Sequence, residues 1–295
     1  MPSYFSRPVF LSAVSTPDLG SITFVSNAVG NYERGRIVTL PTNFGAAEFS
    51  LSFWLKPTSG TTSDFADDTP EQRNDWTTRN TAAYANSTWW FRGNFCMDVH
   101  NNNSFSDGTL SLQFTNTCRP RWTFGDGAAA AARTGSLHAA QNGSASLRDD
   151  GWHKIAFVRR FDGGTGSILE SWVDGVMAAS ETSTARTNMW TTYWQNWTGY
   201  PAAQTGFWFG TEKQAALGVI NQWEDYKGLL SELCFYSKAL STAELQSLAA
   251  VQNTADGLME IIRFTEGSGT TATGINGTVM TLTNSPAWNS VGPFG

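Results

Sequence analysis

Alternation of apolar and polar residues is the feature that most constrains how this chain can fold. Residues 49–57, FSLSFWLKP, place Phe, Leu, Phe and Leu on one side of an extended chain. Residues 109–114 (TLSLQF), 153–161 (HKIAFVRRF) and 167–175 (SILESWVDG) repeat the pattern. A period of two residues is typical of strands with one buried face. It predicts antiparallel sheets with one face toward a core and one face toward water.

Turn and helix signals separate these strands. The tripeptide DGG at 162–164 and the dipeptide DG at 174–175 supply the positive φ angles that tight hairpins need. Near the end of the pattern, Ser241 and Glu244 have the spacing of a helix capping box, followed by leucines to bury. One short helix among many strands indicates an all-β sandwich with a helical attachment.

Charge and hydropathy argue against two classes of partner, nucleic acid and membrane. The 295 residues carry a formal net charge of −6, whereas proteins that bind nucleic acid usually present a basic surface. We therefore expect no nucleic-acid partner. No run of about 18 apolar residues is present, so we also expect no membrane insertion.

The first residues lack a basic start followed by a long apolar run. We therefore expect synthesis in the cytoplasm without a secretion signal.

Three cysteines are too few for a disulfide framework. Cys96 and Cys118 could pair, which would leave Cys234 alone. The other interpretation is three free thiols in a reducing compartment, and we favour it.

Aromatic residues are concentrated outside the alternating segments. The chain has 13 Trp, and residues 188–201 read NMWTTYWQNWTGYP, without a charge and without a strand period. Exposed Trp and Tyr suit sugar rings and protein interfaces equally, and a loop can also fold on itself into a satellite core. All three alternatives stay open, although we expect a contact surface and not the deep core. The candidate contact residues are Trp190, Tyr193, Trp194, Trp197, Tyr200, Trp89 and Trp90.

Three motifs in a fixed order resemble a known family. The segment FSLSFWLKP comes early, residues 149–180 contain a "WH" start and a "VDG" turn, and residues 228–248 run from a strand into ALSTAEL. Together they resemble the laminin-G-like branch of the concanavalin A-like jelly rolls. The resemblance implies an all-β jelly-roll sandwich of two antiparallel sheets with one short helix. We divide the chain into an extended N-terminal arm at 1–20, the sandwich at 21–256 and a C-terminal strand extension at 257–295.

The sequence departs from that family in two places. Many relatives have an Asp-Glu pair in the late strand, where this chain has Ser231 and Glu232. Residues 259–288 resemble the opening of such domains but come last. Either this segment completes the chain's own sandwich, or it pairs with a neighbouring molecule.

Catalytic motifs are missing from the readable sequence. Glucan-cleaving jelly rolls use a strand motif E-x-D-x-x-E, and the nearest match, at Glu170, has no second Glu. We interpret Glu170 as a solvated side chain and Asp174 as a turn residue. His153, at the start of a strand, is expected to pack or to form hydrogen bonds. We therefore expect no enzymatic activity.

Calcium is the one cofactor that the resemblance implies, because related domains bind it at the rim of the sandwich. The long acidic segment 58–88 offers Asp67, Asp68 and Asp75, and Asp98 lies in a second group of oxygen ligands. Neither group has the spacing of an EF-hand loop. The alternative, which we favour, is a solvated acidic loop and no cofactor.

These features lead us to expect a non-enzymatic binding or structural protein. We favour a virion-type surface subunit, such as a decoration, tail or fibre protein, that assembles as a homo-oligomer through protein contacts. Its arms would fasten it to neighbours through Phe5, Phe10, Phe264 and Trp288, since exposed apolar side chains need a groove. The alternative is an extracellular, lectin-like module that binds cell-surface glycan.

Overall fold

The computed structural model describes most of the sandwich. The described residues are 19–24, 33–57, 94–99, 107–114, 120–126, 136–137, 147, 149–183, 186–195, 197, 205–211, 226–249 and 256–294. Within them, no helix is long and apolar enough to cross a membrane.

Strands dominate the described residues. The strands of the first half are β1 (Ser21–Phe24), β2 (Arg34–Ile37), β3 (Phe49–Pro57), β4 (Asn94–Asp98), β5 (Asp107–Phe114), β6 (Pro120–Asp126), β7 (Ser136–Leu137) and β8 (His153–Phe161). Those of the second half are β9 (Ser167–Val173), β10 (Val176–Ser183), β11 (Phe207–Phe209), β12 (Gly228–Tyr236), β13 (Leu258–Ile262), β14 (Thr271–Thr273), β15 (Val279–Thr283) and β16 (Ala287–Asn289). A π-helical turn (Trp190–Trp194) and the helix α1 (Thr242–Leu248) complete the set.

Two eight-stranded sheets contain all of these strands. Sheet A has the order β10-β9-β8-β3-β12-β1-β16. Strand β13 also belongs to sheet A, because it pairs with the second half of β12 whereas β1 pairs with the first half. Sheet B has the order β14-β15-β2-β11-β4-β5-β6-β7. Every pairing is antiparallel, as expected for a sandwich built from alternating strands.

The main core lies between the two sheets. Strand β3 contributes four side chains that are fully buried, and β5 contributes three more from sheet B. These are the residues that the alternation assigned to one face: Phe49, Leu51, Phe53, Leu55, Leu110, Leu112 and Phe114.

The outer face of sheet A is also buried, which differs from the expected wet face. Helix α1 covers it and forms a second apolar cluster that includes Trp172, Leu245 and Leu248. The capping box at the start of α1 is confirmed: Ser241 Oγ accepts from the Glu244 N–H, and the Glu244 carboxylate accepts from the Ser241 N–H. The alternation therefore identifies the two faces correctly but does not show that a helix covers the second one.

Buried charges on this face are held by specific partners. Lys154 Nζ lies 2.8 Å from Glu232 Oε2, and the Trp54 indole N–H donates to the same oxygen at 3.0 Å. Glu170 accepts from the Trp172 indole N–H at 2.9 Å and pairs with Arg160. Glu170 is 8% exposed, so its interpretation as a solvated side chain is wrong.

The C-terminal segment completes the chain's own sandwich. Strands β13 and β16 add to sheet A, and β14 and β15 add to sheet B through β2. Phe264 is 1% exposed within the main core, and the half-buried Trp288 packs against that core. The expectation that Phe264 contacts a neighbour is therefore wrong, whereas that for the half-buried Trp288 stays a prediction. The corresponding arm residues Phe5 and Phe10 lie outside the described residues.

One carboxylate fastens this segment across the end of the sandwich. Glu260, on β13 of sheet A, is 1% exposed. Its carboxylate accepts three backbone N–H groups, from Ile261, Asn276 and Thr278, each at 2.9 Å. Two of these donors belong to the β14–β15 turn of sheet B. A Cβ added at Gly274 would lie 2.4 Å from the Glu260 carboxyl carbon, so the turn closes tightly on the carboxylate.

The aromatic segment 188–197 enters the main core. Trp190, Trp194 and Trp197 are 8%, 1% and 7% exposed and belong to the same apolar cluster as β3. The π-helical turn directs the first two inward, and Trp197 reaches the core from a positive φ of 48°. The prediction of a contact surface is wrong for these three residues, and they fill the sandwich itself and not a satellite core.

The cysteines of the described residues are buried. Cys96 is a free thiol whose pKa is raised by burial, and Cys234 Sγ lies 3.4 Å from the Glu232 carbonyl oxygen. Cys118 lies outside the described residues.

We expect Trp194→Ala to lower the free energy of unfolding by about 3–5 kcal/mol, because it leaves a large cavity and an unpaired Gly108 carbonyl. Urea unfolding measures this change. Thr192→Ala, an exposed change in the same turn, is the control and should stay within about 0.5 kcal/mol of the parent. A loss below about 1 kcal/mol for Trp194→Ala would contradict the core position.

We expect Glu260→Gln to destabilise the fold by about 1–3 kcal/mol, since one backbone N–H would then face an amide donor in a buried site. Glu266→Gln is the matched control, because that exposed carboxylate accepts a single N–H among the described residues, from Thr273 near the same hairpin. Thermal unfolding measures the melting temperatures of the parent and both variants. If Glu260→Gln melts at the same temperature as Glu266→Gln, Glu260 does not fasten the hairpin.

Candidate functional site

The outer face of sheet B carries a row of polar and aromatic side chains. Phe207 and Phe209 point into the core, so Trp208 between them faces outward. The same argument places Arg36, Asp98 and Ser111 on the outer face, because their neighbours along each strand lie in the core or against it. Trp208 pairs in register with Arg36 on β2 and with Asp98 on β4. We call Arg36, Trp208, Asp98 and Ser111 the sheet B row.

Two guanidinium groups lie over the indole of Trp208. The Arg36 and Arg34 guanidinium carbons are 4.8 and 5.4 Å from the ring centre, within the range of cation–π attraction. Arg36 is held in place by Thr205, whose carbonyl oxygen and hydroxyl accept at 2.8 and 2.7 Å. Burial lowers the pKa of Arg36, and the neighbouring charge of Arg34 lowers it further. The pair forms a fixed cationic end of the row.

The middle of the row contains unused hydrogen-bonding capacity. Trp208 is 4% exposed, and its indole N–H finds no acceptor among the described residues. Thr109, two residues before Ser111 and on the same face, has a buried hydroxyl that is likewise without a partner there. Asp98 is fully buried and accepts from the Ser111 hydroxyl. Buried polar groups are normally satisfied, so each orphaned group calls for a partner.

The row continues into an exposed flank on β2 and β15. Thr281 pairs in register with Arg36 and is exposed. Val38 and Val279, which flank the Ile37–Met280 pair, are 42% and 43% exposed. This flank combines cationic, hydroxyl and apolar groups on one surface.

The two outer faces therefore differ in chemistry. On sheet A, helix α1 and its apolar cluster occupy the face, and the indoles of Trp54 and Trp172 both donate to carboxylates. On sheet B, the corresponding indole of Trp208 has no acceptor among the described residues. Sheet B also has the exposed flank on β2 and β15, and this flank is the better candidate for a binding surface.

A second polar cluster lies at the start of β8. His153 Nδ1 is 2.8 Å from Asp174 Oδ2, and His153 Nε2 is 2.8 Å from Asp149 Oδ1. The expected hydrogen-bonding role of His153 is confirmed, as is the turn position of Asp174, which has a φ of 51°. Within the described residues, no group of three or more His, Cys, Asp or Glu is placed to hold a metal ion.

Among the described residues, the aromatic contact residues predicted from the sequence do not lie on the sheet B row. Trp190, Trp194 and Trp197 are core residues, and Tyr193 is a half-buried neighbour of that core. The remaining candidates lie outside the described residues, and the predictions about them stay predictions: Tyr200, Trp89, Trp90, Asp67, Asp68 and Asp75.

Sequence reasoning missed most of the sheet B row. The usable signal is local, since Trp208 alternates with two Phe in GFWFG and two Arg alternate around Gly35 in ERGRI. The sequence places Asp98 in a group of possible calcium ligands, and the structure shows that it accepts from the Ser111 hydroxyl.

Comparison with known proteins finds similarity in structure and not in sequence. No family model matches the chain, and no curated protein matches it in sequence. A protein from Bacteroides ovatus, described as carbohydrate-binding, superposes with a TM-score of 0.51 at 12% identity. The alignment covers 92% of this chain and 59% of that one, so this chain spans less than two thirds of its length.

Two further structures are similar at lower scores. The heptameric SAP-like pentraxin of Limulus polyphemus gives a TM-score of 0.46 at 12% identity, over 90% of this chain and 95% of that one. Domains LG4-5 of the mouse laminin alpha1 chain give 0.41 at 12% identity, over 82% of this chain and 48% of that one. The two antiparallel sheets, the order of the sequence motifs and the structural similarity agree: this chain has a concanavalin A-like jelly-roll fold.

Proposed function

We propose that this chain is a non-enzymatic binding protein that recognises carbohydrate through the exposed flank of sheet B, beside the sheet B row. The observation that carries the proposal is this flank on β2 and β15, where the exposed Thr281 pairs in register with Arg36, whose guanidinium is fixed by Thr205.

The chemistry of this flank suits a polyol. Sugar hydroxyls donate and accept at once, so they match a surface that has both guanidinium donors and a hydroxyl. Arg34 and Arg36 carry N–H donors, Thr281 has a hydroxyl, and the exposed Val38 and Val279 offer apolar contact. The fold shared with a protein described as carbohydrate-binding supports this choice.

The buried carboxylates of sheet A support binding over catalysis. Glu170 and Glu232 are each fixed by an indole N–H and a cation. Removing such a carboxylate from its partners leaves uncompensated charge in a dry site, which is costly. These groups therefore stabilise the sheet and are not poised for acid–base work on a substrate.

A second candidate function is a virion-type surface subunit that forms a homo-oligomer. The observation that favours it is the exposure of Val176 and Met177, 67% and 50%, at the start of β10. Among the described residues, β10 pairs with β9 alone, and a strand edge with exposed apolar residues can accept a strand from another copy. In this proposal, the protein lies on the virion surface and acts through protein contacts.

We expect Thr281→Val to weaken glycan binding about tenfold, because it removes one exposed hydroxyl and with it one hydrogen bond to the ligand worth roughly 1.4 kcal/mol. A glycan array with the full chain identifies the ligand, and calorimetry then compares the parent with the variant. The control is the double variant Val176→Ser, Met177→Ser, on the other sheet, which should bind the glycan as the parent does. Absence of any glycan with a Kd below about 1 mM would overturn the proposal.

Native mass spectrometry of the same proteins tests the second candidate. A subunit that assembles through β10 would be supported by an oligomer that dissociates in the variant Val176→Ser, Met177→Ser and persists in Thr281→Val. A monomer at every protein concentration up to about 100 μM would contradict it.

A further inference from the structure

The side chain of His153 lies between two carboxylates. Its Nδ1 is 2.8 Å from Asp174 Oδ2, and its Nε2 is 2.8 Å from Asp149 Oδ1. The side chain of His153 is 10% exposed, so water competes little for either nitrogen. Each carboxylate also has a backbone donor: Asp174 Oδ1 accepts from the Lys154 N–H, and Asp149 Oδ1 accepts from the Gly151 N–H.

This geometry determines the protonation of the ring. An ionised carboxylate only accepts hydrogen bonds, and neutral imidazole has a single N–H. Only the imidazolium form donates from both nitrogens at once. In the neutral form, one ring nitrogen would turn its lone pair toward a carboxylate at 2.8 Å, which is repulsive.

The contacts join three parts of the fold. Asp149 precedes β8, and Asp174 begins the β9–β10 turn. The next residue of that turn, Gly175, lies against α1, since a Cβ added there would be 2.9 Å from the Gln246 Cα. Holding His153 in place therefore holds the segment before β8 against the hairpin turn that supports the helix.

We propose that His153, Asp149 and Asp174 form a pH-sensitive clamp that joins the segment before β8 to the β9–β10 turn and opens as the pH rises. The inference does not depend on the proposed carbohydrate site, which lies on the other sheet.

The direction of the effect follows from the groups that face the ring. Burial works against the charged form, but Asp174 and then Asp149 outweigh it and raise the pKa of His153 above its ordinary value of 6.5. Leu55, its partner on β3, carries no charge, and Gln246 of α1 beside the turn is also neutral. Lys154 points to the opposite face, toward Glu232. The clamp is therefore complete below pH 6.5 and is lost as the pH rises through the raised pKa.

Nitrogen-15 NMR of the imidazole rings measures the protonation directly. We expect both His153 nitrogens to carry protons at pH 6, with a titration midpoint above the ordinary value of 6.5. Asp174→Asn and Asp149→Asn should each lower that midpoint, and Asp162→Asn should not. Asp162 is the matched control because it caps the β8–β9 turn and pairs with Arg186 instead of a histidine. A titration midpoint at or below 6.5 would overturn the proposal.

Melting temperatures across pH 6 to 9 give the second readout. The difference between the parent and His153→Gln should be largest at pH 6 and should shrink as the pH approaches 9. Asp162→Asn should lower the melting temperature by an amount that stays constant over this range. A difference between the parent and His153→Gln that is independent of pH would reduce His153 to an ordinary packing residue and contradict the clamp.

Discussion

The interior of this sandwich depends on aromatic rings that come from distant parts of the chain. Phe44 packs on Phe49 with ring centres 5.0 Å apart, stacks on Trp194 at 5.7 Å and meets Phe235 of β12 at 4.9 Å. Pairs at these distances are worth more than their buried area alone. Gly45 is fixed by the same contact, because a Cβ there would lie 2.4 Å from the Trp194 ring and its φ is +81°. The turn before β3, the π-helical turn and β12 therefore form one unit.

This dependence explains which parts of the fold could be predicted from sequence. The faces of β3, β5 and β8 follow from alternation within each strand, which is local information. Burial of Ser50 and Trp54 does not follow from it, because it requires the cover of sheet A by α1 and the C-terminal residues. The uncharged segment 188–197 looks like an exposed loop for the same reason. Its tryptophans are buried by residues that lie up to 159 positions away, and no local sequence pattern contains that information.

The candidate site shows the same limit. Alternation around Trp208 was readable, but its pairing with Arg36 and Asp98 depends on β11 inserting between β2 and β4 in sheet B. Strands 2, 4 and 11 are far apart in sequence, so their side chains meet only through the topology of the sheet. The cluster at His153 was easier to anticipate, since Asp149 and Asp174 flank the hairpin that contains it.

The two outer faces show how the same residue type has different consequences. Trp54 and Trp172 on sheet A donate to Glu232 and Glu170, so their buried N–H groups cost little. Trp208 on sheet B is buried to a similar extent without an acceptor among the described residues. A buried donor left unpaired costs about 1–3 kcal/mol. Such a cost is not confined to sheet B, since the buried hydroxyl of Ser171 on sheet A also finds no partner among the described residues. The two faces differ in cover: helix α1 lies over sheet A, whereas the flank on β2 and β15 of sheet B is exposed, and we place the proposed binding surface there for that reason.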